Sequence, residues 1–219
     1  MEKVLVIIGI SNIENSHYAA NDLHKIIINK QKIHNNILHF SFINRKNLDI
    51  IANIREQCDQ IKCNFNHNKV YIIGISCNTM ILYLDYYKQC MNFNNVVLLN
   101  PVILTCEYLN KKGFNNVGIL ATTTSIKMNL FGNYLDNYGI DHMTINEHDQ
   151  NKLDKIIRSK ITKNNRSELC KMVKYLIKNG CQVIILGCTE LPLILKEKVI
   201  DGIQIINTMD ILARNMLKY

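Results

Sequence analysis

Short apolar runs recur along the chain, each closed by glycine or small polar residues and separated from the next by a segment of helical spacing. Met1 to Asn12, Ile37 to Ile43, Val70 to Cys77 and Val96 to Asn100 read as buried strands, too short and too continuous for amphipathic helices. Helical segments lie between them: His17 to Asn29, Leu48 to Ile61 (apolar at Leu48, Ile51, Ile54, Cys58 and Ile61) and Met80 to Cys90. Lys62 to Lys69 reads as a loop. Pro101 opens a helix over Val102 to Lys112, with Gly113 as its C-terminal cap. The same plan then repeats. Strands are expected at Val117 to Ala121, Asp141 to Ile145, Gln182 to Gly187 and Ile203 to Ile206. Ser125 to Tyr138 reads as a helix and Asn146 to Lys152 as a loop. Helical material then runs to Asn179, interrupted near Thr162 to Asn165 and stopped by Gly180. Further helices follow Pro192 and start at Met209. Strands alternating with helices imply parallel sheets joined by right-handed crossovers.

The two halves echo each other at an interval of about half the 219 residues. VYIIGISCNTM, holding Cys77, matches VIILGCTELPLIL, holding Cys188. VLVIIGISN from Val4 matches NVGILATTTS from Asn116, and VVLLNP from Val96 matches IQIINT from Ile203. A period this long marks two similar domains, since solenoid repeats are far shorter. The expected fold is therefore two similar α/β domains with four-stranded parallel sheets, related by pseudo-twofold symmetry, with the active site in the cleft between them. Residues 1–101 with about 206–219 form the first domain and 102–205 the second.

Bulk properties narrow the classes. A hydrophobic content of 47% with 20% charged residues is globular. No apolar run is long enough for a membrane span and the N-terminus has no signal-peptide profile, so a cytoplasmic location is expected. The net charge of +8 suits an anionic small molecule; the lysines are scattered and no nucleic-acid motif occurs, so neither nucleic acid nor membrane is expected as a partner. The eight cysteines include no CxxC pair, which removes zinc-ribbon and thioredoxin-type readings, and no metal is expected. No GxGxxG and no phosphate-binding loop follows any strand.

Candidate chemistry collects at two strand ends. Cys77 is followed by Asn78 and Thr79, and Cys188 by Thr189 and Glu190. The carboxyl edge of an open α/β sheet is where ligands collect, and a helix N-terminus there stabilises a thiolate. Each half thus offers one thiol, and halves facing each other would place the two across one cleft. Cys58, Cys63, Cys90, Cys106, Cys170 and Cys181 read as structural.

With GISCNT in one half and GCTELP in the other, the chain resembles the aspartate/glutamate racemase family, and more closely its aspartate racemase branch, over essentially the whole length. SNIENSHYA, with Glu14, Ser16 and Tyr18, is similar to the family's turn after the first strand, and VGILATTT to its second-domain strand. Glu190 favours the aspartate branch, because glutamate racemases usually carry histidine there. The sequence departs from the family at Ile10, Ile81 and Asn207, and at Ser11, which stands where methionine or a similar residue often lies.

The resemblance implies an isomerase that needs no cofactor, with a homodimer common among such proteins. Inverting an α-carbon takes one proton off one face and returns one to the other, so Cys77 and Cys188 are the expected acid and base. The developing carbanion needs hydrogen-bond donors around the α-carboxylate, for which Ser11, Asn78, Thr79, Thr122 and Thr189 are candidates. Arg45, at a strand end, and Lys160, loosely matching a family lysine, are candidates for a second carboxylate. Racemisation of aspartate leads. The alternatives are a glutamate or broad-specificity racemase, a related carbon-acid enzyme such as a maleate isomerase, and a carboxylate-binding homologue without turnover.

Overall fold

The apolar runs become strands buried on both faces, as parallel sheets covered by helices require. The computed structural model describes residues 2–11, 23–29, 37–43, 49–159 and 162–219. The chain divides into two compact units, Met1–Pro101 with Leu212–Tyr219, and Val102–Ile211.

In the first unit, strands β1 (Glu2–Ser11), β2 (Ile37–Ile43), β3 (Lys69–Ile75) and β4 (Val96–Leu99) form a parallel sheet in the order β2-β1-β3-β4. Residues 23–29 are helical (α1); the earlier part of the helix expected from His17 lies outside the described residues. Helix α2 (Ile50–Lys62) starts at a cap, where the Asp49 carboxylate accepts from the Ile51 N–H at 3.0 Å. It buries Ile54, Gln57, Cys58 and Ile61 along one stripe. The helix expected over Met80 to Cys90 is instead a 3₁₀ turn at Asn78–Tyr83 followed by α3 (Leu84–Cys90). Tyr83, at φ −110° and ψ 17°, breaks the regular path between them.

In the second unit, β5 (Asn116–Leu120), β6 (Asp141–Thr144), β7 (Val183–Leu186) and β9 (Ile203–Asn207) are parallel in the order β6-β5-β7-β9. This is the strand order of the first sheet. One short strand is added: β8 (Val199–Ile200) pairs antiparallel with β9 at the sheet edge. Asp201 and Gly202, at φ 47° and 80°, make the two-residue turn between them, a hairpin geometry for which Asp-Gly is strongly preferred.

Helix α4 (Pro101–Lys112) leads into β5. It ends at Gly113 (φ 75°), where the Phe114 N–H reaches Leu109 O at 3.2 Å and the Gly113 N–H reaches Asn110 O at 3.0 Å. The single helix expected over Ser125 to Tyr138 is three short pieces: α5 (Thr123–Lys127), α6 (Gly132–Leu135) and a 3₁₀ turn (Asp136–Tyr138). The left-handed Asn129 (φ 48°) interrupts it. The polar stretch read as a loop at Asn146 to Lys152 is the cap and first half of α7 (Glu147–Arg158). Asn146 accepts from the Asp149 N–H at 2.9 Å, and Gln150, Leu153 and Ile156 turn inward. Helix α8 (Lys163–Lys178) restarts at Thr162, which accepts from the Asn165 N–H at 3.1 Å. Helix α9 (Leu191–Ile194) is one turn, with Pro192 in its first positions.

The last helix, α10 (Thr208–Met216), crosses from the second unit to the first at Leu212. The sequence places that return near 206, but Ile205 and Ile206 remain paired to β7. Met216 then packs so closely on β3 that a Cβ at Gly74 would lie 2.7 Å from its sulfur. Among the described residues no helix is long and apolar enough to cross a membrane.

Candidate active site

In the first unit the ladder between β1 and β3 runs one residue past the strands: the Ser76 N–H donates to Ile8 O at 2.8 Å and its hydroxyl to the same oxygen at 3.2 Å. Cys77 therefore leaves the sheet at its carboxyl edge, still extended (φ −153°, ψ 108°), as the cap of the 3₁₀ turn. It is half-buried, Asn78 is buried and Thr79 half-buried. Register carries the end of β1 to this edge too, because Ile8 pairs with Ile75, so Ser11 ends its strand beside the start of the Cys77 turn. Beneath it the Tyr87 hydroxyl donates to Gln57 Oε1 at 2.8 Å, both residues buried. Burial raises the Tyr87 phenol above its ordinary range, and Cys58, Cys77 and Cys90 add in the same direction.

The second unit builds the same edge from different side chains. The Gly187 N–H donates to Leu120 O at 2.7 Å, continuing the register in which Leu120 faces Leu186. Cys188 and Thr122 consequently emerge side by side from β7 and β5. Cys188 is 7% exposed, and its thiol donates to Glu190 Oε2 at 2.9 Å; the Thr189 hydroxyl donates to the same oxygen at 3.1 Å. Thr122 is the cap of α5, accepting from the Ser125 N–H at 3.2 Å and donating to Ser125 Oγ at 3.0 Å. Two residues that sequence reading did not single out complete this edge. Gln150 donates to Ala121 O at 2.9 Å, and the Asp154 carboxylate accepts from the Thr123 N–H at 3.1 Å and from Gln150 at 3.3 Å. Their signal was available in the i, i+4 spacing of a polar pair on a helix facing a strand end, but only once α7 is recognised as a helix.

The candidates divide accordingly. Cys77, Asn78, Thr79 and the end of β1 share one edge, and Thr122, Cys188 and Thr189 the other. Arg45 and Lys160 lie outside the described residues. Of the remaining thiols, Cys58 and Cys106 are buried and pushed up to about 12, chiefly by desolvation, and Cys181 to about 11 by the same cause. These are packing residues. The helix behind Cys188 is one turn, too short for a macrodipole of any consequence, and the Cys188 thiol instead meets the Glu190 carboxylate.

Two thiols thus stand at matching carboxyl edges of two sheets with the same strand order. The chain belongs to the Asp/Glu/hydantoin racemase family, whose description matches residues 46–216, and so to a family of isomerases. It is 26% identical over 172 residues to a glutamate racemase of Stutzerimonas stutzeri, covering 74% of this chain and 63% of that one; it spans less than two thirds of that relative's length. In fold it is similar to the aspartate racemase of Picrophilus torridus (TM-score 0.77, 19% identity, 100% of this chain and 94% of the other). It is similar also to glutamate racemase of Francisella tularensis in complex with D-glutamate (TM-score 0.72, 15% identity, 98% and 80%).

Proposed function

We propose that this chain is a cofactor-independent amino-acid racemase that interconverts L- and D-aspartate, with Cys77 and Cys188 as its two acid–base groups. The observation that carries this reading is their equivalence. Each follows the strand that pairs with the first strand of its sheet, β3 with β1 and β7 with β5, at the carboxyl edge. One thiolate removes the α-proton while the other thiol returns a proton to the opposite face, and the roles exchange in the reverse direction. A free cysteine titrates near ~8.5, so a small stabilisation suffices to populate a thiolate at neutral pH. The carbanion spreads charge onto the α-carboxylate, and the side chains of Asn78 and Thr79, with the backbone N–H groups of the turns after Cys77 and Cys188, are the donors proposed to hold it. Arg45 is the proposed partner of the distal carboxylate.

Aspartate is preferred because Glu190 occupies the position where the family's glutamate racemases usually carry histidine. The glutamate reading is supported by the 26% identity to a glutamate racemase. Incubation with L-aspartate and L-glutamate in deuterated water decides. Deuterium at Cα together with the D-enantiomer of aspartate supports the proposal, and faster turnover of glutamate replaces the substrate. Tight binding of either acid without exchange makes the chain a carboxylate-binding protein and removes the racemase reading.

A further inference from the structure

The two-thiol scheme treats Cys77 and Cys188 as interchangeable, and Glu190 makes them unequal. Its Oε2 accepts from both the Cys188 thiol (2.9 Å) and the Thr189 hydroxyl (3.1 Å). The turn itself builds this contact: the Leu191 N–H donates to Cys188 O and the Leu193 N–H to Glu190 O, each at 3.1 Å. Cys188 sits in the core of the second unit with Leu120, Leu153, Leu169 and Leu191 from four different elements, while Glu190 is half-buried, so water screens the pair only in part.

We propose that Glu190 is a positioning residue that holds Cys188 in its protonated form and thereby fixes Cys77 as the base that opens the catalytic cycle. The assignment of the opening base rests on the racemase reading; the contact between Glu190 and Cys188 does not. A thiolate at Cys188 would put two negative charges about 3 Å apart, an arrangement that strongly disfavours ionising both. Among the described residues, the other ionisable groups placed at this edge do not offset the repulsion. Asp154 of α7, bonded to the Thr123 N–H and to Gln150, adds a further negative charge, and Cys181, at the opposite end of β7, is a buried thiol. In the cycle so ordered, the Cys77 thiolate takes the α-proton and becomes a thiol. The Cys188 S–H bond breaks toward the opposite face of Cα, the proton staying with carbon and the electron pair with sulfur. One proton is taken up and one released, and net charge is conserved. The Cys188 thiolate is left beside Glu190, and this form returns to the resting one by exchanging protons with water. Because the enantiomers have equal free energy, kcat/KM is equal in the two directions, and the bias shows as unequal kcat and KM.

The test is the rate at which iodoacetamide alkylates Cys188 in the full chain as a function of pH, read by peptide mass spectrometry with exposed Cys63 as internal reference. Glu190→Gln keeps the shape and removes the charge. It should speed alkylation of Cys188 about tenfold at neutral pH, equivalent to a midpoint lower by about one unit. In the same variant kcat for the two enantiomers should converge. Thr189→Val leaves the carboxylate and removes a donor that shares its charge, so alkylation should slow. Opposite signs distinguish charge from lost packing, which moves both variants the same way. Should Glu190→Gln fail to fold, Glu190→Asp, which withdraws the carboxylate by one methylene, should give a smaller acceleration. An unchanged or slower profile in Glu190→Gln, or equal signs in the two variants, overturns the proposal. Acceleration in a protein that racemises no amino acid overturns the opening-base assignment together with the racemase reading, while the local charge coupling stands.

Discussion

The edge bearing Cys77 and the edge bearing Cys188 share strand order and register, yet differ in the described residues next to the sulfur. Cys77 is half-buried and followed by a buried amide, with a neutral Tyr87–Gln57 pair underneath. Cys188 is 7% exposed and faces a carboxylate, with Asp154 anchoring the neighbouring turn. Matching strand order and register set the position of each thiol, and the residues after it set its immediate neighbours. The proposed two-base reaction needs one ionised and one protonated group at the start, and the proposed role of Glu190 would supply that inequality. The comparison breaks most completely if either sulfur is dispensable. Cys77→Ser and Cys188→Ser should each lower racemisation by about a thousandfold, within the range for losing a positioned acid or base, as read by chiral analysis of the product. Retention of more than a tenth of the activity in either variant would leave a single-base scheme.

Away from the edges each unit holds a fully buried thiol, Cys58 in the first and Cys106 in the second, both 0% exposed. Burial raises each from 9.0 to about 12. The folded chain thus keeps protons that the unfolded chain releases above about pH 9. The stability tied to these thiols is complete below that pH and is lost as the pH rises from about 9 toward 12, at up to about 1.4 kcal/mol per unit for each thiol. Urea midpoints compared at about pH 8 and pH 10.5 should show Cys58→Ala losing about 2 kcal/mol less than the parent protein over that interval. Equal losses would mean that the first unit exposes Cys58 to solvent more readily than its packing implies.

Much of this was legible before any coordinates, for a physical reason. A parallel strand buried on both faces must be a continuous apolar run, so β1, β3, β5 and β7 announce themselves, and the glycine–thiol pairs after β3 and β7 stand out against them. Elements held by local polar chemistry were harder to see. Asn146 and its polar successors resemble a loop until the Asn146 cap is counted with Gln150, Leu153 and Ile156 as one inward stripe. Ser125 to Tyr138 has helical composition, but the left-handed Asn129 divides it. The Asp201–Gly202 hairpin was readable from its turn residues; its two-residue strand was too short to show a pattern. The Glu190–Cys188 contact was not readable at all, because it depends on how a one-turn helix folds two adjacent side chains onto each other.

Glycines sharpen the comparison on the packing side. A Cβ at Gly187 would lie 2.8 Å from the buried ring of Phe131 and 3.0 Å from the Cβ of Ala121, two neighbours with little freedom to move. At Gly74 the nearest atom is the sulfur of Met216, at 2.7 Å on a flexible side chain. Gly187→Ala should therefore cost about 2–3 kcal/mol and Gly74→Ala about 1 kcal/mol by urea denaturation, within the usual range for overpacking. Reversed costs would mean that the second unit's edge yields more easily than the first's.

The smallest effect tests whether Thr122 serves the fold or the ligand. Its position beside Cys188 suits a carboxylate donor, yet its hydroxyl both accepts from the Ser125 N–H and donates to Ser125 Oγ, the pattern of a helix cap. Capping alone predicts that Thr122→Ala loses about 1 kcal/mol of stability with KM for aspartate changed by less than about threefold, and that Thr122→Ser restores the loss. A donor to the α-carboxylate predicts a KM raised by about tenfold or more, the value of a hydrogen bond to a charged group. We expect the first pattern, because a hydroxyl has one proton to give and this one is directed at Ser125. The two edges would then differ in their donors as well as their thiols: side chains of Asn78 and Thr79 after β3, and mainly backbone N–H groups after β5.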